Sequence, residues 1–136
     1  MNTHPYLRAY MAGIAFPTMF LLVVVTGFAI ARFGFDVPIP VERAIAFPMA
    51  VVPNLWGLWN MLYVRQHSRR WPSIGVHGAL LVPLIAPLGF VLAKLVLPPL
   101  SISAALALPL FGIAIVAYYL VWKLAVGYFN NVLGIA

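Results

Sequence analysis

Two side-chain amides, two indoles and a phenol interrupt one apolar run of this chain: Asn54, Trp56, Trp59, Asn60 and Tyr63. Trp56, Trp59, Asn60 and Tyr63 stand at i, i+3, i+4 and i+7, the spacing that lines one face of an α-helix, and Asn54 falls on another face nearer the middle. These groups donate and accept hydrogen bonds and stack against flat partners, and none of them exchanges a proton near neutral pH. Just beyond them Arg65, Arg69 and Arg70 set three fixed positive charges close together, with His67 between them. Their chemistry is the attraction of anions. Phospholipid headgroups come first, at about 1 kcal/mol per basic residue near a surface, and anionic solutes drawn toward a pocket come second. Tyr118, Tyr119 and Trp122 form a second aromatic group late in the chain.

The elements that must position these residues follow from composition. Of 136 residues, 65% are hydrophobic and 7% charged, and the mean hydropathy is +1.05. That leaves too little polar surface to cover a water-soluble globule. No Asp, Glu, Lys or Arg occurs from Ala9 to Ala31, Ala44 to Val64, Trp71 to Ala93 or Leu95 to Trp122, and each stretch meets the roughly 20 residues a spanning helix needs. The runs are continuous, whereas strands of a membrane barrel would alternate over about ten residues. The expected fold is an all-α integral membrane protein: four proline-kinked transmembrane helices in an antiparallel bundle. They are predicted over about residues 11–31, 44–64, 74–96 and 102–126, joined by short connections. Residues 1–136 read as a single transmembrane domain.

Arg8, the apolar stretch after it and the small residues Ala29 to Ala31 resemble a secretory signal, but the stretch exceeds a usual signal core and is read as the first spanning helix. Lys and Arg placement orients the bundle. With both termini in the cytoplasm, Arg8, Arg65, Arg69, Arg70 and Lys123 lie inside and Arg32, Arg43 and Lys94 outside, a small bias in the usual direction that leaves dual insertion open. All six Tyr and all four Trp then fall in the cytoplasmic half. Aromatic belts form at both interfaces, so this one-sided distribution asks for a role beyond anchoring. Proline occurs in every predicted helix, at Pro17, Pro48, Pro53, Pro83, Pro87 and Pro109. Each removes an amide donor and presses on the carbonyl one turn earlier. The tetrapeptide IAFP appears at Ile14 to Pro17 and again at Ile45 to Pro48, too short a match to establish an inverted repeat.

Missing residues exclude as much as present ones suggest. The only acids, Asp36 and Glu42, lie in the first connection, so proton-coupled antiport lacks an intramembrane carboxylate. The three His are scattered over the tail, a loop and a helix start, which provides no facing pair for haem. No catalytic constellation, cofactor site or metal cluster is visible, and enzyme activity is not expected. The net charge of +6 is spread over helix ends without a long stripe, suiting a lipid bilayer with anionic headgroups better than nucleic acid.

An amide facing lipid leaves its donors unsatisfied, so Asn54 and Asn60 are expected to point inward or across a subunit contact. The leading functional expectation is a small channel or transporter. Its cytoplasm-facing cavity would be lined by Asn54, Trp56, Trp59, Asn60, Tyr63, Tyr118, Tyr119 and Trp122, with Arg65, Arg69 and Arg70 as an anionic-lipid or entry cluster. Its partner would be a small solute, and a pathway through so small a bundle would call for a homo-oligomer, built on small residues such as Gly75 with Ala79 or Gly27 with Ala31. The alternative is a non-catalytic accessory or assembly subunit whose aromatic and amide face docks another membrane protein or lipid.

Overall fold

The computed structural model describes residues 4–38, 49–66, 72–96 and 104–135, and all regular structure in them is helical. Helix α1 spans Pro5–Phe35, α2 Ala50–Gln66, α3 Ile74–Val96 and α4 Ala104–Val121; α4 passes into a π-helical turn, Trp122–Val126, and then α5, Gly127–Val132. Counting the last three as one continuous helix makes four helical segments among the described residues, the number expected from the apolar runs.

Helix α1 has 31 residues, about 46 Å at 1.5 Å per residue. Pro5 opens it at a position where its missing N–H costs nothing. It closes at Asp36, in the left-handed region at φ 54°, whose N–H reaches back to the Ala31 carbonyl. Val37 N bonds the same oxygen at 3.1 Å, the six-to-one closure of a Schellman-type end. Pro17, Pro53, Pro83, Pro87 and Pro109 all lie inside helices, while Pro48 and the second IAFP are outside the described residues. Pro5–Phe35 and Ala105–Val132 are long and apolar enough to cross a membrane, with mean hydropathy of 2.3 and 2.1 over their spanning windows.

Two compact units divide the chain: residues 1–65 with 129–136, and residues 66–128. In the first, α1 and α2 run antiparallel at backbone distance. A Cβ added to Gly13 would lie 2.6 Å from the Trp56 carbonyl oxygen and 2.8 Å from Gly57 Cα, and one added to Gly57 would lie 2.5 Å from the Tyr10 ring. Only glycine at both positions lets the backbones approach this closely. In the second unit α3 packs on α4 and the π-turn. Gly75 receives the Tyr119 ring and Gly78 the Trp122 ring, and Leu81, Val82, Trp122 and Val126 are buried around them.

The expected helix limits shift in ways that matter for the site. Segment one is longer at both ends, segment two is described from Met49 onward, segment three matches, and segment four continues to Val132 rather than stopping at Val126.

Candidate functional site

Helix α2 presents Pro53, Trp56, Gly57, Asn60 and Tyr63 as its buried face. Of the expected stripe, Trp56, Asn60 and Tyr63 lie on this face. Trp59 is half-buried and Gly57 stands in its place, because the contact with α1 is centred on a glycine that admits the Tyr10 and Ile14 side chains. Trp56 stacks on Phe16 with ring centroids 5.9 Å apart and planes 18° apart. Phe16 stacks in turn on Phe20 at 6.0 Å and 9°. Tyr63 is only 6% exposed.

Asn60 is wholly buried, and so is Asn130. The Asn60 amide Nδ2 donates to the Ala9 carbonyl at 2.7 Å and to Asn130 Oδ1 at 2.7 Å, while Asn130 Nδ2 donates back to Asn60 Oδ1 at 3.1 Å. Two amides thus face each other in a reciprocal pair, and both hydrogens of the Asn60 amide are engaged within the unit. The C-terminal turn is secured around this pair. Gly134, at φ 64°, lets Ile135 N reach the Asn130 carbonyl at 2.9 Å, and Arg8 Nη1 donates to the Leu133 carbonyl at 3.4 Å.

Asn54 differs from Asn60. It is exposed on its unit rather than turned inward, accepts a hydrogen bond from the Tyr10 hydroxyl, and donates from Nδ2 to the Ala50 carbonyl at 2.5 Å. The bond to its own preceding turn satisfies the Asn54 amide donor locally, while its oxygen is held by α1. Thr26 does the same, donating to the Leu22 carbonyl at 2.8 Å.

The second aromatic group belongs to the other unit. Tyr118 and Tyr119 are half-buried and Trp122 fully buried. Lys123 Nζ lies 5.8 Å from the Tyr119 ring centroid, and His77, 2% exposed, meets the Trp122 ring edge-on at 5.9 Å and 64°. The Gly127 N–H bonds the Trp122 carbonyl five residues back, the bond that defines the π-turn. Of the two small-residue pairs considered for self-association, Gly75 is occupied by Tyr119 within the chain, and Gly27 has no atom within 4 Å of an added Cβ.

Of the basic cluster, Arg65 is exposed at the end of α2, and His67, Arg69 and Arg70 lie outside the described residues. Among the described residues no three His, Asp or Glu side chains converge. Compared with known protein families, with characterised proteins and with solved structures, the chain matches none.

Asn130 is the residue that sequence reasoning missed. Its signal was present as the polar pair Asn130 and Asn131 after the last apolar run, and ending the helix at Val126 placed that pair in a tail.

Proposed function

We propose that this chain is a four-span integral membrane protein that acts as a non-catalytic accessory or assembly subunit, docking another membrane protein or lipid. The membrane reading is supported by the outward faces of the two long helices. Val23, Phe33, Leu108 and Ile113 are 71%, 76%, 75% and 65% exposed, a surface suited to acyl chains. The observation that favours the subunit reading over a pathway is the closed amide pair, which leaves this face of α2 nothing to offer a solute. A pathway residue must offer hydrogen bonds to a passing solute, and Asn60 has already committed both donors to Ala9 and Asn130. The Trp56 ring is stacked on Phe16. The polar face of α2 therefore acts as a fastener between helices, the common use of amides in hydrocarbon.

The second reading, a channel or transporter for a small solute, is favoured by Asn54. Its exposed carboxamide and the Tyr10 hydroxyl put polar groups on the outside of a unit, where water or a solute could meet them. Both readings share the orientation with N- and C-termini cytoplasmic. Reconstituted protein separates them: solute flux into liposomes and assembly size in detergent are measured for wild type and Asn54→Leu. Changed assembly without flux in either form supports a subunit; flux that Asn54→Leu abolishes at unchanged assembly supports a pathway. Single cysteines at Ser68 and Ser101 are expected to label from opposite sides of the membrane, and labelling from one side would overturn the four-span topology.

A further inference from the structure

An open groove of about 430 Å³ is lined by Tyr6 on α1 and by Leu58, Met61, Leu62 and Arg65 on α2. Its volume falls in the range of small-ligand sites. The four α2 residues stand at i, i+3, i+4 and i+7, so they form one face of the helix, about 10 Å long, with a charge at one end and hydrocarbon along the rest. Tyr6 is 48% and Leu58 56% exposed, so the groove is open from outside the unit.

The charge at its end has no carboxylate nearby among the described residues. The chain carries two acids, Asp36 and Glu42. Asp36 follows the far end of α1, about 45 Å along the helix from Tyr6, and Glu42 comes six residues later in the sequence, outside the described residues. A guanidinium and a tyrosine lining one groove with Leu58, Met61 and Leu62, and no carboxylate nearby among the described residues, match an anion that carries its own hydrocarbon. Arg binds phosphate through paired N–H donors.

We propose that this groove binds one anionic phospholipid, its phosphate held by Arg65 and the Tyr6 hydroxyl and an acyl chain laid along Leu62, Met61 and Leu58. The site rests on the membrane reading above and gives the docking role a lipid. It differs from diffuse attraction to a basic loop in having a defined stoichiometry and a wall of named side chains.

The full-length protein is reconstituted in nanodiscs of phosphatidylcholine and phosphatidylglycerol, extracted gently into detergent, and the retained lipid counted by native mass spectrometry. Wild type is expected to retain one phosphatidylglycerol in preference to phosphatidylcholine. Arg65→Gln should lower that retention about fivefold, the effect of one basic residue near a charged surface, and Arg65→Lys should restore part of it. Tyr6→Phe provides a second, milder variant should the first misfold. Equal retention by wild type and Arg65→Gln would overturn the site. So would an equal loss in an Arg69→Gln/Arg70→Gln protein, which would mean diffuse charge, or displacement of the lipid by inorganic phosphate, which would mean a free-anion site. Alkaline carbonate washing of native membranes distinguishes the two levels: release of the protein sinks the membrane reading, whereas retention with no Arg65 effect sinks only the lipid site.

Discussion

The two compact units bring helices together by different means. In residues 1–65 and 129–136, Gly13 brings α1 and α2 into backbone contact, Gly57 seats the Tyr10 ring, and a buried amide pair, which sets this unit apart, then fixes the C-terminal turn to them. In residues 66–128 rings are seated on glycines, Tyr119 on Gly75 and Trp122 on Gly78. Ring-on-glycine packing gains dispersion contacts over a large area and tolerates small slides. An amide pair gains less area but is directional, and in hydrocarbon it penalises any arrangement that leaves an N–H unpaired. The first unit should therefore be specific in register, and the second dependent on volume.

Substitutions can break that contrast, and the largest effect is expected in the second unit. Gly78→Val drives a branched side chain into the Trp122 ring, which has no exposed edge along which to retreat. A loss of about 3 kcal/mol is expected, read as resistance to unfolding in a denaturing detergent, and Trp122→Leu should recover much of it by vacating the space. Recovery would identify volume as the cause. Its absence would point to the helix backbone.

In the first unit Asn60→Leu removes three hydrogen bonds and strands the Asn130 amide, a loss of about 2 kcal/mol in the same assay. Asn54→Leu breaks bonds on an exposed position and should cost about 0.6 kcal/mol. Equal losses at the two positions would remove the distinction between an internal fastener and a surface amide. Gly13→Ala sharpens the same point. Its Cβ meets the Trp56 carbonyl, which is backbone and cannot rotate away, so about 1–2 kcal/mol is expected. The effect of opposite sign belongs to Gly27→Ala and Gly112→Ala, where nothing lies within 4 Å of the new atom. A gain of about 0.5–1 kcal/mol from helix propensity is the expected result.

The helices themselves were legible because long uncharged runs have few alternatives, and the third matches from Ile74 to Val96. Within α2 the buried face was partly legible. Spacing identifies a stripe, but two overlapping stripes fit Trp56, Asn60 and Tyr63, one continuing through Trp59 and one through Gly57. The choice was made by the Gly13 crossing, a property of α1 that α2 does not encode. Asn54 and Asn60 carry the same side chain six residues apart, yet one is exposed and one fully buried. Hydrophobicity gives them equal rank. What separates them is Asn130, a partner 70 positions away from Asn60 and past the point where hydropathy placed the helix end.

The reciprocal amide pair is tested most directly by a double-mutant cycle on the full-length protein in bilayer-like micelles, comparing wild type, Asn60→Leu, Asn130→Leu and the double variant. Because each single change strands the other amide, the double variant should be more stable than the summed single losses imply, with a coupling of about 1 kcal/mol. Strictly additive losses would contradict the pairing, and with it the role of the α2 polar face as a fastener between helices of this chain.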